Sequence, residues 1–220
     1  YRNSQIMGIK RYTANADTTI TNAYKANLNT RGTDANMGLA DSLEVFHIYG
    51  QESSSSAENS RVLINFPVTD IISERSAGEI PASGSVSWFL RVHNVAHPST
   101  LPRNYNMTIL AVSSSWDEGT GMDMENYSDV GYANWSGSAS SSSGITAWTA
   151  LGGDYHASTT GSTAYFDNGT EDIEIEISHL VEEWVKGLSG GAKGNIYGVG
   201  IRMENESALS SSYTKKFSAR

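Results

Sequence analysis

The feature that most constrains this chain is alternation with a period of two. In Ser85–Val92 the residues Val86, Trp88, Leu90 and Val92 alternate with Ser85, Ser87, Phe89 and Arg91. In Asp172–Ile177 the pattern is cleaner: Ile173, Ile175 and Ile177 interleave with Asp172, Glu174 and Glu176. Successive side chains of a strand point to opposite faces, so both segments predict strands with one side in a core, and the carboxylates read as a solvated face. Thr18–Asn22, Leu43–Ile48, Arg61–Phe66, Asn106–Val112, Tyr197–Met203 and Tyr213–Ser218 are further candidates, short and bounded by Gly, Ser, Asn and Pro.

Helical signals are few. Ser178 can cap a helix near 178–186, Leu180, Val181, Trp184 and Val185 form its apolar stripe, and Gly187 can stop it. Glu182 and Glu183 would then face water. Val68–Ile72 reads as one further turn. About eight strands and so little helix predict an all-β fold, an antiparallel, jelly-roll-like β-sandwich with long loops. The 220 residues are read as a single β-sandwich domain, 1–220, with 1–13 as an extended N-terminal arm. The linking segments are Gln51–Ser60, which is rich in Ser, and Asp117–Gly144, which ends in the nearly pure Ser run Ser138–Gly144. Loops of more than about 12–15 residues are usually functional or mobile. Asp167-Asn-Gly169 reads as a hairpin turn.

Charge and composition narrow the function classes. Fifteen basic residues against 24 acidic ones give a net charge of −9 and a pI near 5.0, the wrong sign for a phosphate backbone, so nucleic acid is excluded as a partner. No stretch approaches the ~18 consecutive apolar residues of a membrane span. The absence of Cys removes disulfides, iron–sulfur clusters and thiolate metal sites. Tyr1–Ile6 shows no signal-peptide pattern. No phosphate-binding loop occurs, because Gly187–Gly194 lacks the Gly-Lys-Ser/Thr ending. His93 and His97 have i, i+4 spacing, but they follow a strand, precede Pro98 and have no acidic residue between them.

Two constellations remain. Asp117, Glu118, Asp123, Glu125 and Asp129 crowd one loop, and Asp167, Glu171 and Asp172 another; hard oxygen donors grouped in this way make a structural calcium the one metal to consider, with no other cofactor implied. A glycosidase-like acid/base pair among them is the weaker alternative. The aromatics Trp135, Trp148, Tyr127, Tyr132 and Tyr155 lie in loop-like sequence. They are either an exposed platform for stacking sugar rings or rings that pin the loops by burying apolar area; the second reading is preferred. Five Asn-x-Ser/Thr triplets, at Asn106, Asn126, Asn134, Asn168 and Asn205, follow from the abundance of those residues.

The order of several short motifs resembles a known family. Asn36-Met-Gly38 precedes Leu43-Glu-Val45, and Arg61-Val-Leu-Ile-Asn-Phe66 is similar to the Arg-x-Leu-x-x-Phe strand of DNRLRE-type domains. These are β-sandwich modules related to carbohydrate-binding module family 96. Trp116-Asp-Glu118 resembles their Trp-x-Glu turn, and Asn134-Trp135 falls at their Thr-Trp-x-Asn element. Asp172–Ile177 followed by Leu180-Val-Glu-Glu-Trp184 resembles their strand-to-helix step, and Tyr197-Gly-Val-Gly-Ile201 and Phe217-Ser-Ala-Arg220 their closing strands. Met7-Gly-Ile-Lys-Arg-Tyr-Thr13, Leu101-Pro-Arg-Asn-Tyr105 and Tyr213-Thr-Lys-Lys-Phe217 look like stretches of structural proteins of marine tailed phages, including cyanophages. In those proteins Met7 would be the start, and one more strand would follow Arg220.

That likeness implies a non-enzymatic structural protein of a virion, a decoration or tail-associated adhesion module at the virion surface or outside the cell. Its partners would be other virion structural proteins, repeated copies of itself and a host-surface glycan. A carbohydrate-binding module is the first alternative. The second is a subunit of an extracellular filament joined by strand donation through Tyr1–Thr13 or Tyr213–Arg220. A polysaccharide lyase or glycosidase ranks last.

Overall fold

A computed structural model describes residues 8–96, 102–128, 131–142, 144–156, 161–187 and 195–220. The chain is mostly β and antiparallel, with two short helices. In order the elements are β1 (Ala16–Thr21), β2 (Ser42–Tyr49), β3 (Ala57–Asn65), α1 (Val68–Ser76), β4 (Phe89–Val92), β5 (Tyr105–Ala111), β6 (Gly137–Ser141) and β7 (Gly144–Ala147). They continue with β8 (Ser162–Phe166), β9 (Ile173–Glu176), α2 (Ser178–Gly187), β10 (Val199–Met203), a 3-10 turn at Glu206–Ala208 and β11 (Tyr213–Ser218). Among the described residues no helix is long and apolar enough to cross a membrane.

The main sheet runs β11-β2-β3-β10-β5-β8 and curls into a half-barrel, with β1 joined to β3. The centre is β3, which pairs with three strands: with β1 from Ala16↔Asn65 to Thr21↔Ser60, with β10 around Gly200↔Leu63, and with β2 from Phe46↔Ser60 to Tyr49↔Ala57. Two ribbons, β4–β9 and β6–β7, lie outside it.

Alternation along the strands builds a core on each face of this sheet. Val62 and Ile64 enter the larger cluster with Leu43, Val45, Met107, Ile109 and Ile201, whereas Leu63 enters a smaller one with Ile20, Val112, Trp135 and Trp148. The larger cluster is completed by Leu90 and Val92 of β4, Ile173 of β9, and Leu180 and Trp184 of α2. The smaller lies where the 113–155 segment meets the sheet.

Both alternating segments are strands, although the first is shorter than Ser85–Val92. Only Phe89–Val92 is paired; Val86 and Trp88 still pack half-buried against the core. In β9, Ile173 is buried and Glu174 and Glu176 are exposed, and Arg91 pairs with Glu174 directly across the ribbon at 2.6 Å. The second helix spans Ser178–Gly187 with both expected end residues inside it, the Ser178 hydroxyl accepting from Trp88 N at 2.8 Å, and α1 extends through Ser76.

Four local expectations need correction. The Ser-rich stretch 51–60 is a loop only in its first part, because Ala57–Ser60 pairs with β2 and the Ser60 hydroxyl accepts from Phe46 N and donates to Glu44 O. Ser138–Ser141 belongs to β6 and pairs with β7. The turn at Asp167–Gly169 joins β8 to β9, which pair in different sheets, so it is a corner and not a hairpin. Glu182 does not face water: it lies between Arg75 and Trp88, with Arg75 Nη2 2.7 Å from Oε1, Nη1 2.9 Å from Oε2, and Trp88 Nε1 donating at 3.0 Å. Residues 8–13 run without regular structure, tied by Lys10 to Glu74 at 2.7 Å and by the Tyr12 hydroxyl to the same carboxylate. The rest of the expected arm, 1–7, lies outside the described residues.

Candidate functional site

The face built from residues 113–155 carries most of the side chains singled out by sequence. Its anchor is Asn36, fully buried on the loop between β1 and β2. The Asn36 amide donates to Glu118 O at 2.7 Å and Ala133 O at 3.0 Å, and its carbonyl oxygen accepts from Gly38 N at 3.2 Å and Gly121 N at 2.8 Å. Asn36 N also donates to Tyr127 O at 3.1 Å. One side chain thereby satisfies backbone groups at several points along the loop, which would otherwise be buried without partners. The approach is close enough to require glycine: a Cβ at Gly121 would lie 2.0 Å from Asn36 O. The sequence shows Asn36-Met-Gly38 only as part of a motif, because the partners Glu118 and Ala133 lie 82 and 97 positions away; an Asn two residues before a Gly is the one local signal.

The aromatic residues do not make an exposed platform. Trp135 and Trp148 are each only 5 % exposed, so neither offers a free face to a sugar ring. Trp148 Nε1 donates to Asn134 O and Trp116 Nε1 to Tyr197 O, both at 2.8 Å, tying the loop to its surroundings. The Arg61 guanidinium carbon lies 4.8 Å from the Trp135 ring centre and 5.8 Å from that of Tyr155. Arg61 also donates to Gly152 O at 2.7 Å and grips Glu206 at 2.6 Å, a pair whose side chains are 12 % and 9 % exposed. Burial pushes the Tyr155 phenol up to about 12, and its hydroxyl donates to Gly152 O at 3.0 Å. Tyr127 is half-buried; Tyr132 is the most open of the five, at 37 %. Trp135 and Trp148 are instead part of the smaller apolar cluster with Ile20, Leu63 and Val112.

The acidic residues are spread over separate tasks. Glu118 accepts from Asp17 N at 2.7 Å and binds the Arg220 guanidinium. Asp123 accepts from Asn126 N and Glu125 N, both at 2.8 Å, and these bonds, that from Asn126 foremost, hold its carboxyl below the usual range. Glu125 caps Ala26 N at 3.0 Å, and Asp117 is exposed. Asp129 lies outside the described residues. Among the described residues no three His, Asp or Glu side chains converge as a metal would require, and Glu118, Asp123 and Glu125 serve the separate contacts given above. His93 Nδ1 sits 3.3 Å from Asp172, and His97 lies outside the described residues.

Comparison with protein-family models, curated proteins and solved structures finds no match. A polar depression of about 370 Å³ opens beside this face, lined by Asp17, Gly38, Asp41 and Arg220 among others. Burial raises the Asp17 carboxyl above its ordinary value, while Arg220 N donates to it at 2.9 Å. Among the described residues of this face, Glu118, Glu125 and Arg61 are used to fasten loops.

Proposed function

We propose that the chain is a non-enzymatic structural protein of a phage virion, a decoration or tail-associated adhesion module that works by protein–protein assembly in repeated copies at the virion surface. In this reading the β4–β9 ribbon and the two helices are the second layer of a jelly-roll-like sandwich. The observation that carries it is the fastening of the 113–155 segment through Asn36, Trp148 and Arg61. A surface segment fastened at several points is preformed at those points, and association then forfeits less ordering entropy there. The phage-like stretches at both ends of the chain supply the virion context.

A sugar-binding module has weaker support, since its two Trp residues are covered. Strand donation by Tyr213–Arg220 is weaker too, because Tyr213–Ser218 already pairs with β2 from Tyr213↔His47 to Ser218↔Ser42. The test uses antibodies against the purified chain to label particles from the source culture, alongside a glycan array probed with wild type and Trp135→Ala. Label on particles with no glycan signal is expected. Glycan binding by wild type that Trp135→Ala abolishes without unfolding, together with unlabelled particles, would overturn the proposal.

A further inference from the structure

The deepest-buried charged group lies away from the loop face. Lys215, on β11, is 0 % exposed. Its Nζ stands 2.6 Å from Asn94 Oδ1 and 2.9 Å from Gly169 O, with the rings of Phe166 and Phe217 at 5.1 and 5.5 Å. Asn94 follows β4 and bridges to Phe217, so the two side chains meet across two neighbouring extended segments. Asp172 Oδ1 accepts from Asn94 N at 2.7 Å and fixes that backbone. Two buried polar atoms nearby have no hydrogen-bond partner among the described residues: Glu171 Oε2 and the Tyr105 hydroxyl. Buried unpaired polar atoms are rare in folded proteins and call for an explanation.

We propose that Lys215 and Asn94 join in an intramolecular amide crosslink, formed by the folded chain on itself. The Lys215 ammonium first gives a proton to Glu171. The neutral amine attacks Asn94 Cγ, forming the Nζ–Cγ bond. The Cγ–Nδ2 bond then breaks, and Nδ2 leaves as ammonia, taking one proton from Nζ and carrying the first away as ammonium. No oxidant, reductant or cofactor enters the balance. The reaction needs the amine held against the amide: Lys215 is buried and its Nζ already touches the Asn94 amide group, which shortens the path to Cγ. Burial also depresses the Lys215 amine to about 8, against the opposing pull of Glu171 and Asp172, so the nucleophilic form is accessible near neutral pH. Glu171 is the proton acceptor in this step, and its charge already acts on Lys215.

The product would tie the end of β4 to β11 by a covalent bond. The inference does not depend on the virion reading, because the geometry is internal to the chain.

The experiment is intact-mass analysis of the purified, denatured full chain after incubation at pH 8–9, followed by peptide sequencing. The expected result is a mass lower than calculated by one ammonia, with a branched peptide joining Lys215 to Asn94. Asn94→Ala and Lys215→Met are expected to restore their calculated masses; Met keeps an apolar chain among the two Phe rings if the alanine variant folds poorly. Glu171→Gln should slow the reaction about a hundredfold while leaving both reacting side chains in place. A folded wild type at its calculated mass overturns the proposal. So does ammonia loss that persists in Lys215→Met or maps to a cyclised Asn168-Gly169.

Discussion

Replacing Glu182 by Gln tests whether the contact between α1 and α2 is an electrostatic joint. Glu182 and its partner Arg75 are 12 % and 16 % exposed, and Trp88 Nε1 donates to the same carboxylate. Burial alone would raise the Glu182 carboxyl, but hydrogen bonds from Arg75, Ser83 and Trp88 and the charge of Arg75 hold it at about 2, against 4.5 in the unfolded chain. That depression corresponds to about 3 kcal/mol of stability at pH 7. Breaking a buried pair from one side costs about 3–5 kcal/mol by an independent route, because Arg75 is left buried without its counter-charge. The folded-state value is depressed, so the contribution is present above the unfolded value of 4.5 and is lost as pH falls toward about 2. Urea unfolding followed by Trp fluorescence, on wild type and Glu182→Gln, measures this directly. The variant should be about 3 kcal/mol less stable at pH 7, with the gap shrinking to less than about half by pH 3. A loss under about 1 kcal/mol at pH 7, the value of a surface pair, would refute the reasoning. So would a gap that stays constant on acidification.

Other outcomes follow from the same contacts. Asn36→Ala removes four side-chain hydrogen bonds and should cost about 3 kcal/mol, with new protease cleavage between 119 and 128 seen by mass spectrometry before the sheet unfolds. Trp148→Ala should lower stability by about 3–5 kcal/mol in thermal or urea melts. Glu206→Gln leaves Arg61 with a buried, uncompensated charge; a loss of about 3 kcal/mol in urea melts is expected, against near zero for Glu174→Gln at the exposed Arg91 pair.

Much of the secondary structure was legible because it rests on local rules. The alternation of Ile173 and Ile177 with Glu174 and Glu176 marks a strand whatever surrounds it, and the stripe Leu180, Val181, Trp184 and Val185 marks a helix face. Tyr213–Ser218 has the bounds expected of it. The Ser-rich segments were misread since Ser60 and Ser138 are strand residues whose hydroxyls bond to neighbouring backbone, a solution that composition does not display. Glu182 looked solvated because its partner Arg75 is 107 positions away. The candidate site was legible as a set of residue types and not as an arrangement: the same loop aromatics serve either as a platform or as pins, and burial decides which.

The amino-acid order alone determined that this chain would be mostly β, acidic, free of thiol chemistry and equipped with a helix near 178–186. Those properties follow from side-chain period, charge and residue type, each expressed within a few positions along the chain. Tertiary structure decided that the main sheet carries a core on both faces, that Asn36 is the knot of the long loop, and that Lys215 meets Asn94. Those depend on which distant segments come together, and that choice is made by the free energy of burying apolar surface while pairing every backbone group, summed over the whole chain.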